Sequence, residues 1–191
     1  AGMCDKFEGR LIPSEVPNMH NYLKWEPFGV VALILPWNSP IGTLIWKLAP
    51  ALASGNTVVI KPSERASCST LELMSILEEA DLPEGLINVV TGFGPTTGAP
   101  LIEHDDIRMI SFTGGTKGDT IHGNGGADII NAQGGLDNIE GGAGNDSITA
   151  DTEADFLTTL GTDTVDGGAG TDTPTFSAAA TLTAAEVVNI S

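Results

Sequence analysis

The sequence predicts an α/β parallel-sheet fragment followed by an all-β stack of short repeats. Up to residue 113, apolar runs of strand length alternate with segments of helical periodicity; beyond it, aspartate recurs every nine residues. Residues 1–113 contain 13 acidic and 7 basic residues, a net charge of −6, whereas residues 114–191 contain 12 acidic residues and one basic residue, a net charge of −11. The second part also holds 15 of the 24 glycines. Because one core rarely changes composition so sharply, we expect two modules.

Short apolar runs rich in β-branched residues indicate buried parallel strands in the first part, and the longer segments between them have apolar residues at helical spacing. Gly55 is a natural helix stop. The predicted elements are, in order, a strand at 29–35, a helix at 41–54, a strand at 57–60, a helix at 67–80, a strand at 87–90, a turn at 92–95 with a short helix to about 103, and a strand at 109–112. Such βαβ sheets bind ligands at the carboxyl ends of their strands.

The acidic composition excludes several classes of partner. Nucleic acids and anionic membrane surfaces are bound through Lys and Arg, which are scarce here, whereas cations suit the second part. No segment has the ~18 consecutive apolar residues of a membrane-spanning helix. We also find no signal-peptide pattern. Cys4 and Cys68 lie in no metal or redox spacing, so we expect unpaired thiols.

The residues that follow the predicted strands form an ordered set of motifs. These are Pro36–Pro40, Leu48–Val59, Lys61–Glu64, Leu86–Gly92 and Ile110–Gly114. In sequence, order and spacing, they resemble the aldehyde dehydrogenase superfamily over residues 1 to about 116. The resemblance implies a Rossmann-like, NAD-binding sheet fragment and, for the parent enzyme, oxidation of aldehydes through a cysteine thioester.

The resemblance also implies roles for individual residues. Glu64 would bind both hydroxyls of the adenosine ribose and so favour NAD over NADP, and Asn38 matches the asparagine of the oxyanion hole. Taken singly, Lys61 and Glu64 also fit a solvated charge pair, Gly94 a turn glycine and Asn38 a helix N-cap. The cofactor contacts carried over are Pro36, Trp37, Lys61, Ser63, Glu64, Gly94, Thr113, Gly114 and Gly115.

The chain departs from the family pattern after Gly114. Gly115 replaces the family serine, and the glycines that follow disfavour the helix whose N-terminus would hold the cofactor phosphates. The motifs of the general-base glutamate and of the nucleophilic cysteine are absent, so we predict no aldehyde dehydrogenase activity from this chain alone. Because half of the family's sheet is missing, we expect an uncovered edge strand. NAD remains the second candidate ligand.

The second part contains a nine-residue repeat. Aspartate recurs at Asp119, Asp128, Asp137, Asp146, Asp155, Asp163 and Asp172, with one spacing of eight. An aliphatic residue stands two positions after most of these, and a glycine two positions before. Residues 141–149 match the consensus G-G-x-G-x-D-x-U-x in full. The glycines permit tight turns, the carboxylates and turn carbonyls are the hard oxygen ligands that calcium prefers, and the aliphatic residues point into the stack.

This pattern resembles RTX calcium-binding repeats, which implies a parallel β-roll of six to seven turns over residues 114–175. The alternative is a flexible acidic linker, which does not need an aliphatic residue at a fixed offset from each aspartate. Residues 176–191 would cap the stack. The predicted calcium ligands and turn glycines are Asp119, Gly126, Asp128, Gly135, Asp137, Gly142, Gly144, Asp146, Asp163 and Asp172.

Three functional hypotheses remain open at this point. The chain is a calcium-binding module with an inert dehydrogenase remnant, a dehydrogenase subunit completed by a complementing chain, or a recombined product without an evolved function as a unit. Residues 112–115 fit both the dehydrogenase motif and the repeat pattern, and the chain changes from one pattern to the other at this point, which supports the third hypothesis. The expected location is divided too, because the first part resembles cytoplasmic enzymes and the second resembles secreted or cell-surface proteins.

Overall fold

One parallel sheet of seven strands runs through both parts of the chain. Its strand order is β12-β10-β8-β6-β3-β4-β5, and every neighbouring pair is parallel. The computed structural model describes residues 6, 8–16, 18–115, 118–133, 137–150 and 164–176. The strands are β1 Arg10–Ile12, β2 Asn21–Leu23, β3 Val30–Ile34, β4 Thr57–Lys61, β5 Ile87–Val89, β6 Ile107–Thr113, β7 Thr120–His122, β8 Ile129–Gln133, β9 Asn138–Glu140, β10 Ser147–Ala150, β11 Thr164–Asp166 and β12 Thr173–Phe176. The helices are α1 Pro40–Ala53, α2 Ser67–Glu78 and α3 Ala99–Ile102, the last preceded by a π-helical turn, Gly94–Gly98.

The first part forms the predicted α/β layers. Helices α1 and α2 cover one face of strands β3 and β4, where Val31, Leu33, Val58 and Ile60 pack against Leu44 and Leu48. On the opposite face, the Lys61 side chain lies against Gly98 of the π-helical turn. Each predicted element of this part is present, with ends that move by one or two residues. The sequence analysis missed the exposed two-stranded hairpin of β1 and β2.

The expectation of an uncovered sheet edge at the end of the first part is wrong. Strand β6 pairs in parallel with β8, the second strand of the repeats, with Phe112 opposite Ile130. The same register continues outwards, with Ile130 opposite Ile148 and Ile148 opposite Pro174. The physical reason is that β6 presents a row of free backbone donors and acceptors, which the first parallel strand of the stack can satisfy.

A second, three-stranded parallel sheet packs over the repeat end of the first. Its order is β11-β9-β7. Ile121 and Ile139 from this sheet meet Ile130 and Ile148 from the larger one in a single apolar cluster, and each is at most 2% exposed. Phe112 of β6 packs against the same cluster. These four isoleucines of the repeat therefore lie inside the stack, as the pattern predicted.

Several predictions fall outside the described residues: Gly135, Asp155, Asp163, Cys4 and all but the first residue of the cap predicted at 176–191. Cys68 is a free, exposed thiol, as predicted. In the described ranges, no helix combines the length and apolar character needed to cross a membrane.

Candidate functional site

Three glycine-rich turns are stacked at one edge of the repeats: residues 123–128, 141–146 and 167–172. Backbone hydrogen bonds of 2.7–2.8 Å join each to the next, from Gly126 N to Ala143 O and from Gly144 N to Ala169 O. A Cβ atom on Gly144 would collide with the carbonyl oxygen of Gly126, and one on Gly142 with that of Asn124. Gly126, Gly142 and Gly144 also have φ of +126°, +100° and +143°, so glycine is required at these positions.

The turn aspartates connect neighbouring rungs through one carboxylate oxygen. Asp128 Oδ1 accepts a 2.8 Å hydrogen bond from Ile110 N, Asp146 Oδ1 a 2.9 Å bond from Asp128 N, and Asp172 Oδ1 a 3.0 Å bond from Asp146 N. Asp137 Oδ1 accepts one of 2.8 Å from Asp119 N at the opposite edge. One oxygen of each carboxylate is therefore fixed by the fold.

The second carboxylate oxygen is turned into the glycine turn. Oδ2 of Asp128, Asp146 and Asp172 is buried, and within the described part of the chain it has no hydrogen-bond partner. Each lies 2.5–2.6 Å from the place where a Cβ would stand on the glycine five residues earlier, namely Gly123, Gly141 and Gly167. A buried carboxylate oxygen without a donor is costly, and a bound cation is one partner that would offset this cost.

The electrostatics of the turns agree with this geometry. Burial raises the pKa of the Asp128 carboxyl to about 7; the hydrogen bond from Ile110 N opposes that shift and the nearby Asp146 carboxylate adds to it. Burial likewise raises the pKa of Asp146 and of Asp119. Among the residues that the structure describes, no group of three or more His, Cys, Asp or Glu side chains could hold a metal ion. A cation in these turns needs backbone carbonyls as well.

The predicted cofactor residues lie at the carboxyl ends of β3, β4 and β6 and in the turn after β5. Pro36 and Lys61 are buried, whereas Trp37 is half exposed at 52% and Asn38, Glu64 and Gly94 are exposed. Asn38 is not the N-cap of α1: that residue is Ser39, with φ 51°. These residues share one edge of the sheet because the strands are parallel neighbours.

Lys61 and Glu64 are held by the turn after β4. Lys61 Nζ donates a 3.1 Å hydrogen bond to Pro62 O, and Ser63 Oγ accepts one of 3.3 Å from Arg65 N. Burial lowers the pKa of the Lys61 ammonium, and the Glu64 carboxylate opposes that shift. Arg65 Nε lies 4.0 Å from Glu64 Oε1, and both side chains are exposed. The turn to which the resemblance assigns the ribose contacts is therefore formed.

The residues that follow β6, to which the resemblance assigns contacts with the cofactor phosphates, are hydrogen-bonded to the repeats. After Thr113, Gly114 N donates a 2.7 Å hydrogen bond to Asn131 O, and Gly115 N donates one of 3.3 Å to Asp119 Oδ2. The backbone donors that the family resemblance assigned to cofactor phosphates thus face a carbonyl and a carboxylate of this chain.

Lys47 was missed by the sequence analysis. It lies on α1, where its Nζ donates a 2.7 Å hydrogen bond to Ser111 O, and burial lowers its pKa to about 7. The helical pattern gave no signal, because a lysine between apolar positions usually reaches solvent.

Comparison with known proteins identifies both parts of the chain. The model of the aldehyde dehydrogenase family matches residues 1–152, and that of the RTX calcium-binding nonapeptide repeat (4 copies) matches residues 140–174. Horse aldehyde dehydrogenase 1A1 is 48% identical over 117 residues, which are 61% of this chain and 23% of the horse protein. Human retinaldehyde dehydrogenase 3 is 47% identical over 117 residues, which are again 61% of this chain and 23% of the human protein.

Solved structures give the same result. An aldehyde dehydrogenase from Bacillus cereus in complex with NAD+ has a TM-score of 0.58 and 43% identity, covering 60% of this chain and 23% of that one. Betaine aldehyde dehydrogenase from Staphylococcus aureus, also in complex with NAD+, has a TM-score of 0.57 and 32% identity, covering 63% and 29%. The chain spans about a quarter of the length of the curated relatives. The chain therefore belongs to the aldehyde dehydrogenase family, and it also carries RTX calcium-binding nonapeptide repeats.

Proposed function

We propose that residues 114–175 are a calcium-binding β-roll attached to an incomplete NAD-binding segment, residues 1–113, with 176–191 as a cap. The observation that carries the proposal is the set of three stacked turns, each with a buried Oδ2 that lacks a donor among the residues that the structure describes. Those oxygens belong to Asp128, Asp146 and Asp172. The net charge of −11 in the second part has the sign that such a ligand requires.

The residues present fit calcium better than a smaller or softer ion. Calcium takes six to eight oxygen ligands in flexible geometry, and a turn rich in carbonyl groups can supply them around one carboxylate. Calcium in the turns would place a positive charge beside the carboxylates of Asp128 and Asp146. Gly126, Gly142 and Gly144 would let the backbone carbonyls approach. Asp119 and Asp137 would serve the turns at the opposite edge, to which we also assign Gly135 and Asp163.

Far-UV circular dichroism of the full chain during a calcium titration tests this function, with magnesium as the control. We expect a cooperative gain of β signal with calcium and none with magnesium, because the stack cannot bury its paired carboxylates without a counter-ion. No change with either ion would contradict the proposal.

A matched pair of variants locates the site. Asp146→Asn keeps an acceptor for Asp128 N but removes the charge, and we expect calcium affinity to fall by about tenfold or more. Glu140→Gln removes one charge from the same repeats at an exposed side chain that pairs with His122 Nδ1 at 2.9 Å. This control should change affinity little, because exposed charges are screened. Equal effects of the two variants would place the calcium elsewhere.

NAD is the second candidate ligand, supported by the retained turn at Lys61 and Glu64 and by relatives solved with NAD+. The carboxylate of Asp119 beside Gly115 N opposes it, since it would repel a pyrophosphate. We therefore expect weak binding through the adenosine half. Calorimetry with NAD and with adenosine should give similar affinities, and a much tighter NAD would show that the phosphates are bound.

We expect no aldehyde oxidation by the chain alone, because the family's nucleophile and general-base motifs are absent and Asn38 supplies only one oxyanion donor. A complementing chain that carries those motifs would be required. Turnover of an aldehyde or an ester by the pure protein would contradict this expectation.

A further inference from the structure

A cavity of about 830 Å³ lies beside α1, and both parts of the chain form it. Its wall includes Trp46 of α1, Met109 of β6 and Ile129 of β8, together with Trp25 and Phe28 from the segment after β2. Met109, Ser111 and Ile129 share one face of the large sheet, because Ile129 is opposite Ser111 in the β6–β8 pair. The size and the mostly apolar wall are those of small-molecule sites.

Lys47 is a charged residue of α1 in this wall. Its Nζ is held by the 2.7 Å hydrogen bond to the carbonyl oxygen of Ser111, and in the described part of the chain it has no ion pair. The other titratable groups in the wall are Tyr22, Lys24 and Glu26, and Lys24 Nζ pairs with Glu26 Oε1 at 3.1 Å in solvent. Lys47 is thus a positioned amine without a neutralising carboxylate.

Burial lowers the pKa of the Lys47 ammonium from its ordinary value of 10.5 to about 7. At pH 7 about half of this amine is neutral, against about 0.03% for a lysine with the ordinary value, a difference of about a thousandfold. Only the neutral amine has a lone pair for attack on carbon, and desolvated lysines are used as nucleophiles for that reason.

We propose that Lys47 is a carbonyl-binding site, at which apolar aldehydes condense reversibly with the Nζ amine to form an imine. The nitrogen attacks the carbonyl carbon and an N–C bond forms. The carbonyl oxygen then leaves as water, with the two hydrogens lost from nitrogen, and the C=N bond forms in its place. The step needs no oxidant or metal. It uses none of the proposed calcium ligands, because Lys47 lies on the sheet face opposite the three-stranded sheet.

The test treats the full chain, in calcium, with hexanal and sodium cyanoborohydride, which reduces the imine to a stable secondary amine. Peptide mapping by mass spectrometry then gives the rate of modification at each lysine. We expect Lys47 to react at least about tenfold faster than Lys24 at pH 7. The Lys47 rate should level off above a pH of about 8. Equal rates at the two lysines would overturn the proposal.

Two variants and one condition complete the test. Lys47→Arg keeps the charge and a donor for Ser111 O, and it should abolish the fast reaction while circular dichroism is unchanged. Lys24→Arg should leave the Lys47 rate as it is. In urea the preference for Lys47 should disappear, because the cavity is lost. A preference that persists in urea would overturn the assignment to the cavity.

Discussion

Acidification should weaken calcium binding by this chain at a pH well above that at which ordinary carboxyls titrate. The reason is Asp128, whose carboxyl has its pKa raised to about 7, chiefly by burial. Its Oδ1 is engaged by Ile110 N, so a proton and a calcium ion compete for the one remaining oxygen, Oδ2. Each proton that binds there must leave before calcium can enter.

The size of the effect follows from that pKa. If one carboxyl must ionise, the apparent affinity falls by the factor 1 + 10^(pKa − pH), which is about 2 at pH 7, about 10 at pH 6 and about 100 at pH 5. A carboxyl at the ordinary value of 3.8 would reduce the affinity by less than about 10% at pH 5. The raised pKa of Asp146 can only steepen the fall.

Equilibrium dialysis with radioactive calcium at constant ionic strength, from pH 8 to pH 5, measures this fall directly. The Asp128→Asn variant should bind more weakly at pH 8 but lose part of the pH dependence, whereas Glu140→Gln should keep the slope of the natural sequence. An affinity that is unchanged between pH 8 and pH 6 would refute the reasoning, because it would mean that no ligand carboxyl titrates near pH 7.

The calcium-free protein should respond to pH with the opposite sign. The folded pKa of Asp128 lies above the unfolded value, so its contribution to stability is full below about pH 4 and is lost as the pH rises through 7. The loss amounts to at most about 4 kcal/mol. Far-UV circular dichroism in a chelator should therefore show more β signal from the repeats at pH 6 than at pH 8. The reverse order would indicate that Asp128 is exposed without calcium.

Three further predictions concern packing. Ile130→Ala, at a side chain that is 0% exposed, should lower the free energy of unfolding by about 2–5 kcal/mol in urea titrations of the calcium-loaded protein. A loss below about 1 kcal/mol would show that the apolar cluster of the repeats is loosely packed. Gly144→Ala should abolish the calcium-induced β signal, because its Cβ would collide with the carbonyl oxygen of Gly126. Gly125→Ala should retain the signal, because a Cβ there would lie 3.7 Å from the nearest atom, the carbonyl oxygen of Ala143. Equal signals from the two variants would contradict the stacking. Calcium should slow hydrogen exchange of the Ile110 amide about tenfold, because this amide donates to Asp128 Oδ1. Unchanged exchange would show that calcium does not stabilise the contact between β6 and the repeats.

The local elements could be predicted from the sequence because each has its own signal. Strand β3 is a continuous apolar run with buried residues on both faces, and in β4 the apolar residues Val58 and Ile60 are buried while Val59 is half-buried. Helix α1 ends near Gly55, as the sequence predicts. The β1–β2 hairpin was missed because its strands are three residues long and fully exposed, so neither burial nor alternation marks them.

Long-range relations could not be predicted in this way. The aspartate period identified the turn carboxylates, because every rung repeats the same local geometry. The hydrogen bond that holds Lys47 Nζ depends instead on the carbonyl oxygen of Ser111, which lies 64 positions away in the sequence. A helical pattern contains no information on which neighbour covers a given side chain.

The pairing of β6 with β8 explains how a nine-residue repeat can begin on a dehydrogenase sheet. Both are parallel, so β6 offers the first rung the same backbone geometry as any other rung. Phe112 stands opposite Ile130, and a Cβ on Gly126 would meet the carbonyl oxygen of Arg108. The Ile110 amide donates to Asp128 as the Asp128 amide donates to Asp146. Ile110 has no carboxylate, however, so this rung can close the stack but cannot bind calcium. Stacked repeats need such a terminal unit, and here the family sheet supplies it. At the edge formed by the three stacked turns, the row of calcium ions should therefore start at Asp128, and ordering of the repeats by calcium should stabilise β6 before any other strand of the first part.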